Sequence, residues 1–196
     1  GDSAEVLSEL PKGLSPELSL IFAARQGQTH VVEALLKTQA DVNARDPHGG
    51  TSLLRAVEAA GASARAVIEK LLSAGADPAL ADDLGETALS RAAAAGPSEL
   101  LSAMLDAAPL VPSEEVMSAA LNAASAAGNR ATMKLLLGAR ASPGTSALQS
   151  WAERGDLDVL NDLLSRRVDL NARSERNGAS ALLNTARAGR VEAVRW

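Results

Sequence analysis

The sequence predicts an all-α protein made of repeated helix pairs. Three observations carry this expectation. Apolar residues make up 46% of the 196 residues and are mostly Ala and Leu, with one Phe, no Tyr and two Trp. Ala and Leu are strong helix formers, whereas β-branched and aromatic residues favour strands. Glycines that follow small residues recur at Gly27, Gly61, Gly96, Gly128, Gly155 and Gly189, spaced 34, 35, 32, 27 and 34 apart. A turn frame, Asp-x-x-Gly-x-Thr, occurs twice, as Asp46-Pro47-His48-Gly49-Gly50-Thr51 and as Asp82-Asp83-Leu84-Gly85-Glu86-Thr87. Such a period marks a repeat array, in which no unit buries its apolar face alone.

The chain opens with Val6, Leu7 and Leu10 on one helical face, stopped by Pro11. This segment, residues 1–14, is expected to be a capping helix, because the exposed ends of a stacked array need a cap. Ser15-Pro16-Glu17 then opens the first unit, with serine as N-cap and proline at the first helical position. After most of the stop glycines a helical apolar face follows. The residues are Val31, Val32, Leu35 and Leu36, then Val67, Ile68, Leu71 and Leu72, then Leu100, Leu101, Met104 and Leu105. Met133, Leu136 and Leu137 continue the series, and Val159, Leu160, Leu163 and Leu164 close it. Their offsets place them on one side of a helix. Each unit therefore reads as helix, glycine stop, helix, turn. In the turn, Asp, Pro and Gly supply side-chain hydrogen bonds and positive φ, and Thr caps the next helix.

These motifs resemble those of ankyrin repeat proteins. The family pattern runs Asp-x-x-Gly-x-Thr-Pro-Leu-His-x-Ala-Ala, a glycine, a Leu-Leu pair, then Gly-Ala-Asp-x-Asn. Gly75-Ala76-Asp77, Ala40-Asp41-Val42-Asn43 and Val168-Asp169-Leu170-Asn171 match its end. Thr51-Ser52-Leu53-Leu54 and Thr87-Ala88-Leu89-Ser90 match its start without the proline and histidine. The resemblance covers five full units and the front of a sixth, residues 15–196, with approximate bounds 15–46, 47–82, 83–112, 113–143, 144–173 and 174–196. It implies an ankyrin-repeat solenoid of stacked helix-turn-helix units with β-hairpin-like fingers, one or two of them shortened or missing.

Departures from the pattern are local. "GASARA" after Ala60 lengthens one inter-helix turn, and "DAAPLVPSEEV" replaces a hairpin, with Ser113, Glu114 and Glu115 forming a helix start. "GARASPGTSAL" is short enough that its finger is expected to be missing. The sixth unit stops at Arg195-Trp196, where the leucine pair is due. A longer parent chain is the expectation, with Trp196 as a natural terminal plug the other reading. Tetratricopeptide arrays share the period but need aromatic residues at fixed positions, which this chain lacks.

Charge and composition exclude several functions. Residues 1–150 carry 11 Lys/Arg and 17 Asp/Glu, and residues 151–196 carry 8 and 7. Neither part forms the basic surface that nucleic acid requires. There is no cysteine, so disulfides, thiolate metal sites and cysteine nucleophiles are excluded. No apolar run approaches the roughly 20 residues that cross a bilayer, and the start lacks the basic and apolar regions of a secretory signal. His30 and His48 are the only histidines, too few for a metal site of three or four ligands. The carboxylate pairs Asp82-Asp83, Glu114-Glu115 and Asp156/Asp158 fall at turns and helix starts, where they have structural roles. No catalysis, cofactor or metal is expected.

Function is therefore expected from surface. The resemblance implies a protein-protein interaction scaffold that binds a partner through the concave face of the array. The outward positions of its frame are Pro47, His48, Gly50, Asp83, Leu84 and Glu86 on fingers, and Arg25, Gln26, Arg55, Glu58, Arg91, Glu153, Arg154 and Arg187 on first helices. Trp151, where other units have alanine, is a binding hot spot or a filler of space under the shortened hairpin, and packing is favoured. Arg55→Ala and Leu84→Ala are both expected to weaken a partner without changing helicity or melting. The charged "RSERNG" at Arg173–Gly178 reads as a solvated finger tip. Some ankyrin repeats are hydroxylated on the asparagine of the Asp-x-Asn element, which Asn43 and Asn171 occupy. The alternative function is a targeting or regulatory arm of a larger enzyme or bacterial effector whose catalytic domain lies outside this chain. A monomer is expected, without nucleic-acid or membrane partners. It is expected to be intracellular, cytoplasmic or nuclear, or in a host cell if it is a secreted effector.

Overall fold

A computed structural model describes residues 13–59, 64–95, 97–109, 111–174 and 178–195. Among these residues there are twelve α-helices, no strand, and two isolated antiparallel bridges, Arg45 to Thr51 and Arg173 to Ser180. The expected capping helix lies outside the described residues apart from Gly13 and Leu14, as do Gly61, Gly96, the finger tip 175–177 and Trp196. The chain forms two compact units, residues 1–92 with 99–112, and residues 93–98 with 113–196.

The first unit begins with α1, Pro16–Arg25, and α2, Thr29–Lys37. Ser15 caps α1 by accepting from the Leu18 amide at 3.3 Å, and Pro16 sits in the first turn, where its missing N–H leaves no bond unmade. Gly27, at φ +69°, turns the chain between them. α3, Ser52–Ala59, and α4, Ala64–Ser73, repeat the pair. α1 packs on α3, α2 on α4, and each first helix on its own second helix. Ala23, Ala24 and Ala56 have no exposed surface; side chains this small let neighbouring helices approach closely. Leu20, Leu53, Leu54, Ile68 and Leu71 fill the space between. Truncating any one of these leucines to alanine removes about 2–5 kcal/mol. An exposed ion pair, Lys70 to Glu33 at 2.8 Å, joins the second helices. α5, Ala88–Ala95, belongs to this unit through Ala92, and α6, Ser98–Ala107, from Glu99.

The second unit contains α7, Glu114–Ala127; α8, Arg130–Gly138; α9, Thr145–Arg154; α10, Leu157–Ser165; α11, Ala181–Arg187; and α12, Val191–Arg195. Ser113 caps α7 as expected, and Glu114 and Glu115 lie in its positive first turn. α7 ends on Gly128 and α9 on Gly155, both left-handed at φ 74°. Asn129 and Asp156 cap the helices that follow these stops. α7 packs on α8 and α9, α9 on α10 and α11, and α11 on α12. Residues 139–144 pass from α8 to α9 without a described bridge, in keeping with the expected loss of a finger.

Candidate functional site

The fingers of the first unit are built by aspartate. Asp46 Oδ1 accepts from the amides of His48 at 2.8 Å and Gly50 at 2.9 Å. Asp82 Oδ1 accepts from Leu84 and Glu86, both at 2.9 Å. Gly49 and Gly85 take φ +75° and +77° at the same place in each turn. Thr51 and Thr87 then cap the next helix through Oγ1, accepting from Leu54 at 3.2 Å and Ser90 at 3.0 Å. The Asp83 amide donates to the His48 carbonyl at 3.1 Å, so consecutive finger tips are joined. Further back, Asn43 donates to the Gly75 carbonyl at 3.2 Å and accepts from the Asp77 amide at 2.8 Å. The Arg45 guanidinium also donates to the Ala81 carbonyl.

A row of charged side chains links these fingers to the first helices. Arg55 Nε donates to Asp46 Oδ2 at 2.8 Å, and Arg55 Nη1 to Glu58 Oε2 at 2.9 Å. Arg91 then lies 3.6 Å from Glu58 and 3.6 Å from Glu86, and Ser90 Oγ donates to Glu86 at 2.9 Å. Burial pushes the Asp46 carboxyl up, but bonds from Arg55 and from the Gly50 and His48 amides outweigh it, and the group titrates at about 2. The same hydrogen bond to Asp46, with that to Glu58, raises the Arg55 guanidinium against the opposing effect of its burial.

Two expectations are corrected here. The Arg55 side chain is only 15% exposed; it is an internal strut rather than an outward residue, and Arg55→Ala is expected to lower melting. Gly50 is buried rather than outward, because the Arg55 guanidinium packs where its Cβ would be. Arg25, Gln26, His48, Glu58, Asp83 and Arg91 are exposed, Glu86 is partly exposed, and Leu84 is 83% exposed at its finger tip. Phe22, 43% exposed on α1, was not among the residues read as outward. It stands five residues before Gly27, the place Arg91 holds before Gly96, so the frame contained the signal.

In the second unit, Trp151 is 2% exposed on α9. It is packed, and it offers no side-chain surface to a partner. Arg154 lies over its ring, 5.6 Å from the centroid, and donates to the Ala126 carbonyl at 2.7 Å and the Ser150 carbonyl at 3.1 Å. Arg190 likewise donates to the Glu153 carbonyl at 3.0 Å. Arginines thus satisfy carbonyls at the ends of preceding first helices, which lack intrahelical donors. Arg187 and Glu153 are exposed. Among the described residues no group of three or more His, Cys, Asp or Glu could hold a metal, and no helix is long and apolar enough to cross a membrane.

Helix pairs with glycine stops, joined by aspartate-built fingers, define a helical repeat protein. The ankyrin repeat family model matches residues 19–47, which hold one helix pair and the following Asp-x-Asn. The ankyrin repeat domain of Bcl-3, described as a unique member of the IkappaB protein family, is 26% identical with a TM-score of 0.70, over 94% of this chain and 85% of that domain. EF0377, an ankyrin repeat protein, is 25% identical with a TM-score of 0.74, over 90% of this chain and 94% of that one. No curated protein sequence matches significantly. The chain is an ankyrin repeat protein. Ankyrin repeats are generally protein-protein interaction modules, and the fold is typically non-catalytic.

Proposed function

We propose that this chain is a non-catalytic scaffold that binds another protein through the fingers and first helices of its first unit, which form the concave face in ankyrin arrays. One observation carries the reading: Leu84 is 83% exposed on a turn whose backbone Asp82 holds rigid. A turn backbone ordered before binding loses little further entropy when a partner covers the apolar side chain it carries. His48, Asp83, Glu86 and Arg91, on the same fingers and the helix that follows, offer polar groups able to fix orientation, as in the rim of an interface. Phe22, Arg25 and Gln26 extend the same kind of surface along α1.

The test is capture of a partner by the immobilised chain, identification by mass spectrometry, and titration of that partner against Leu84→Ala. Removing three exposed carbons is expected to weaken binding about five- to thirty-fold, or about 1–2 kcal/mol, with helicity and melting unchanged. Equal affinity for the variant, or loss of binding only alongside unfolding, would remove this surface from consideration.

A further inference from the structure

The missing finger of the second unit leaves a groove of about 450 Å³, lined by residues 140–144 before α9, by Thr145 at its start, and by residues 166–169 after α10. This volume lies within the range of ligand pockets, roughly 300–1,000 Å³. Three exposed arginines line it: Arg140, Arg166 and Arg167. None has an ion-pair or side-chain hydrogen-bond partner among the described residues. Neighbouring cations are engaged: Arg130 pairs with Asp156 at 3.4 Å and with Asp158, Lys134 with Asp162 at 3.9 Å, and Arg154 and Arg190 bind carbonyls. The one carboxylate in the lining, Asp169, accepts from the Asn171 amide at 2.9 Å. Gly144 and Thr145 also line the groove, where α9 starts with no side chain capping its first amides.

Two of these arginines occupy backbone that disfavours them. Arg140 and Arg167 take φ +66° and +61°, two residues past the ends of α8 and α10. Gly75 holds the same place after α4 at φ +86°. Glycine adopts this conformation freely, and an arginine there is strained. Arginine holds this place in the shortened connection after α8 and again in the turn after α10.

We propose that this groove binds a short acidic segment of a partner protein, with its carboxylates seated against Arg140, Arg166 and Arg167. Guanidinium groups suit carboxylates because their fixed donors pair two at a time. Residues 113–196 carry 11 Lys/Arg and 9 Asp/Glu, whereas residues 1–112 carry 8 and 15. Charges beyond a Debye length of about 8 Å are screened, so a short acidic segment meets the local cations. Nucleic acid needs a broader basic surface than these three arginines supply. The site uses no residue of the first unit.

The experiment is a fluorescence anisotropy titration of the whole chain with labelled hexaglutamate, alongside hexaglutamine and a short single-stranded oligonucleotide. Hexaglutamate is expected to bind, and to weaken as salt rises, while hexaglutamine does not bind. Replacing both Arg140→Gly and Arg167→Gly is expected to lower affinity at least about tenfold, with melting unchanged or raised because glycine relaxes both positions. Arg166→Gln, in an ordinary backbone conformation, is expected to weaken binding about threefold or more and reads the same site should the double variant melt early. Leu84→Ala is expected to leave hexaglutamate binding intact, which separates this site from the first unit's surface. Absence of hexaglutamate binding, full affinity in the arginine variants, or tighter binding of the oligonucleotide would overturn the proposal.

Discussion

Arg55 and Asp46 face each other at 2.8 Å, so that helix α3 is tied to the finger that precedes it. The pair is 15% and 13% exposed, far from the fully solvated surface pairs that contribute about 0–1 kcal/mol. The Asp46 carboxylate also holds the finger's amides, so one side chain serves the turn and the turn's attachment.

This pairing has a pH signature. Asp46 titrates at about 2 in the folded chain against an ordinary 3.8, so its pairing stabilises the fold above about pH 4. That contribution, about 2 kcal/mol, is lost as pH falls from 4 toward 2. Arg55→Ala leaves a largely buried carboxylate without its charged partner, and is expected to remove about 2 kcal/mol at pH 7. The gap between wild type and variant should narrow toward pH 2, where about half of the wild-type Asp46 is already protonated. Urea melts at the two pH values measure it; a gap that stays constant would show that the ion pair contributes nothing.

The finger glycines separate local strain from crowding. Gly49 and Gly85 share the left-handed conformation, so alanine at either costs about 1 kcal/mol in backbone strain. A Cβ on Gly85 meets nothing within 4 Å, but on Gly49 it would lie 2.9 Å from the Asp83 amide nitrogen and 2.7 Å from its Oδ1. Backbone cannot yield as a side-chain tip can. Gly49→Ala is therefore expected to cost at least about twice as much as Gly85→Ala. Thermal melts of the two variants compare them directly, and equal losses would mean that the finger tips shift apart without resistance.

Asn43 carries an inter-repeat bond in both directions, to the Gly75 carbonyl and from the Asp77 amide. Asn43→Ala deletes both and is expected to cost about 1–2 kcal/mol. Asn43→Asp keeps the acceptor and loses the donor, so it should fall between. Chemical denaturation ranks the three; an alanine variant as stable as wild type would show that water replaces both bonds.

Features fixed by short-range chemistry were legible in the sequence. Asp46 and Asp82 announced their turns because few side chains can bind amides two and four residues ahead. Gly27, Gly128 and Gly155 announced stops because left-handed backbone favours them. The Arg55–Asp46 bond was not legible, since it needs the finger to fold back on α3 across nine positions, and an arginine in an outward frame position reads as free. Phe22 was missed because the first repeat, residues 15–46, lacks the Asp-x-x-Gly-x-Thr start that anchors the frame. The basic groove was invisible for another reason. Arg140 and Arg167 belong to different turns, and only the lost finger leaves them lining one cleft.

Trp151 tests whether the shortened connection is filled by packing. Its ring is 2% exposed, and its Nε1 is buried with no hydrogen-bond partner among the described residues. Trp151→Ala opens a cavity beneath Arg154 and is expected to cost about 3–5 kcal/mol. Trp151→Phe loses part of the ring but also removes a buried, unpaired N–H, a group that costs about 1–3 kcal/mol to bury. The two effects oppose, and the phenylalanine variant is expected within about 1 kcal/mol of wild type. Arg154 keeps an aromatic face beneath it in that variant and loses it in the alanine one. Denaturant midpoints of both variants decide the matter. A phenylalanine variant as damaged as the alanine one would show that the indole N–H has a partner after all, and a harmless alanine variant would show that α9 can settle onto α11 without the ring.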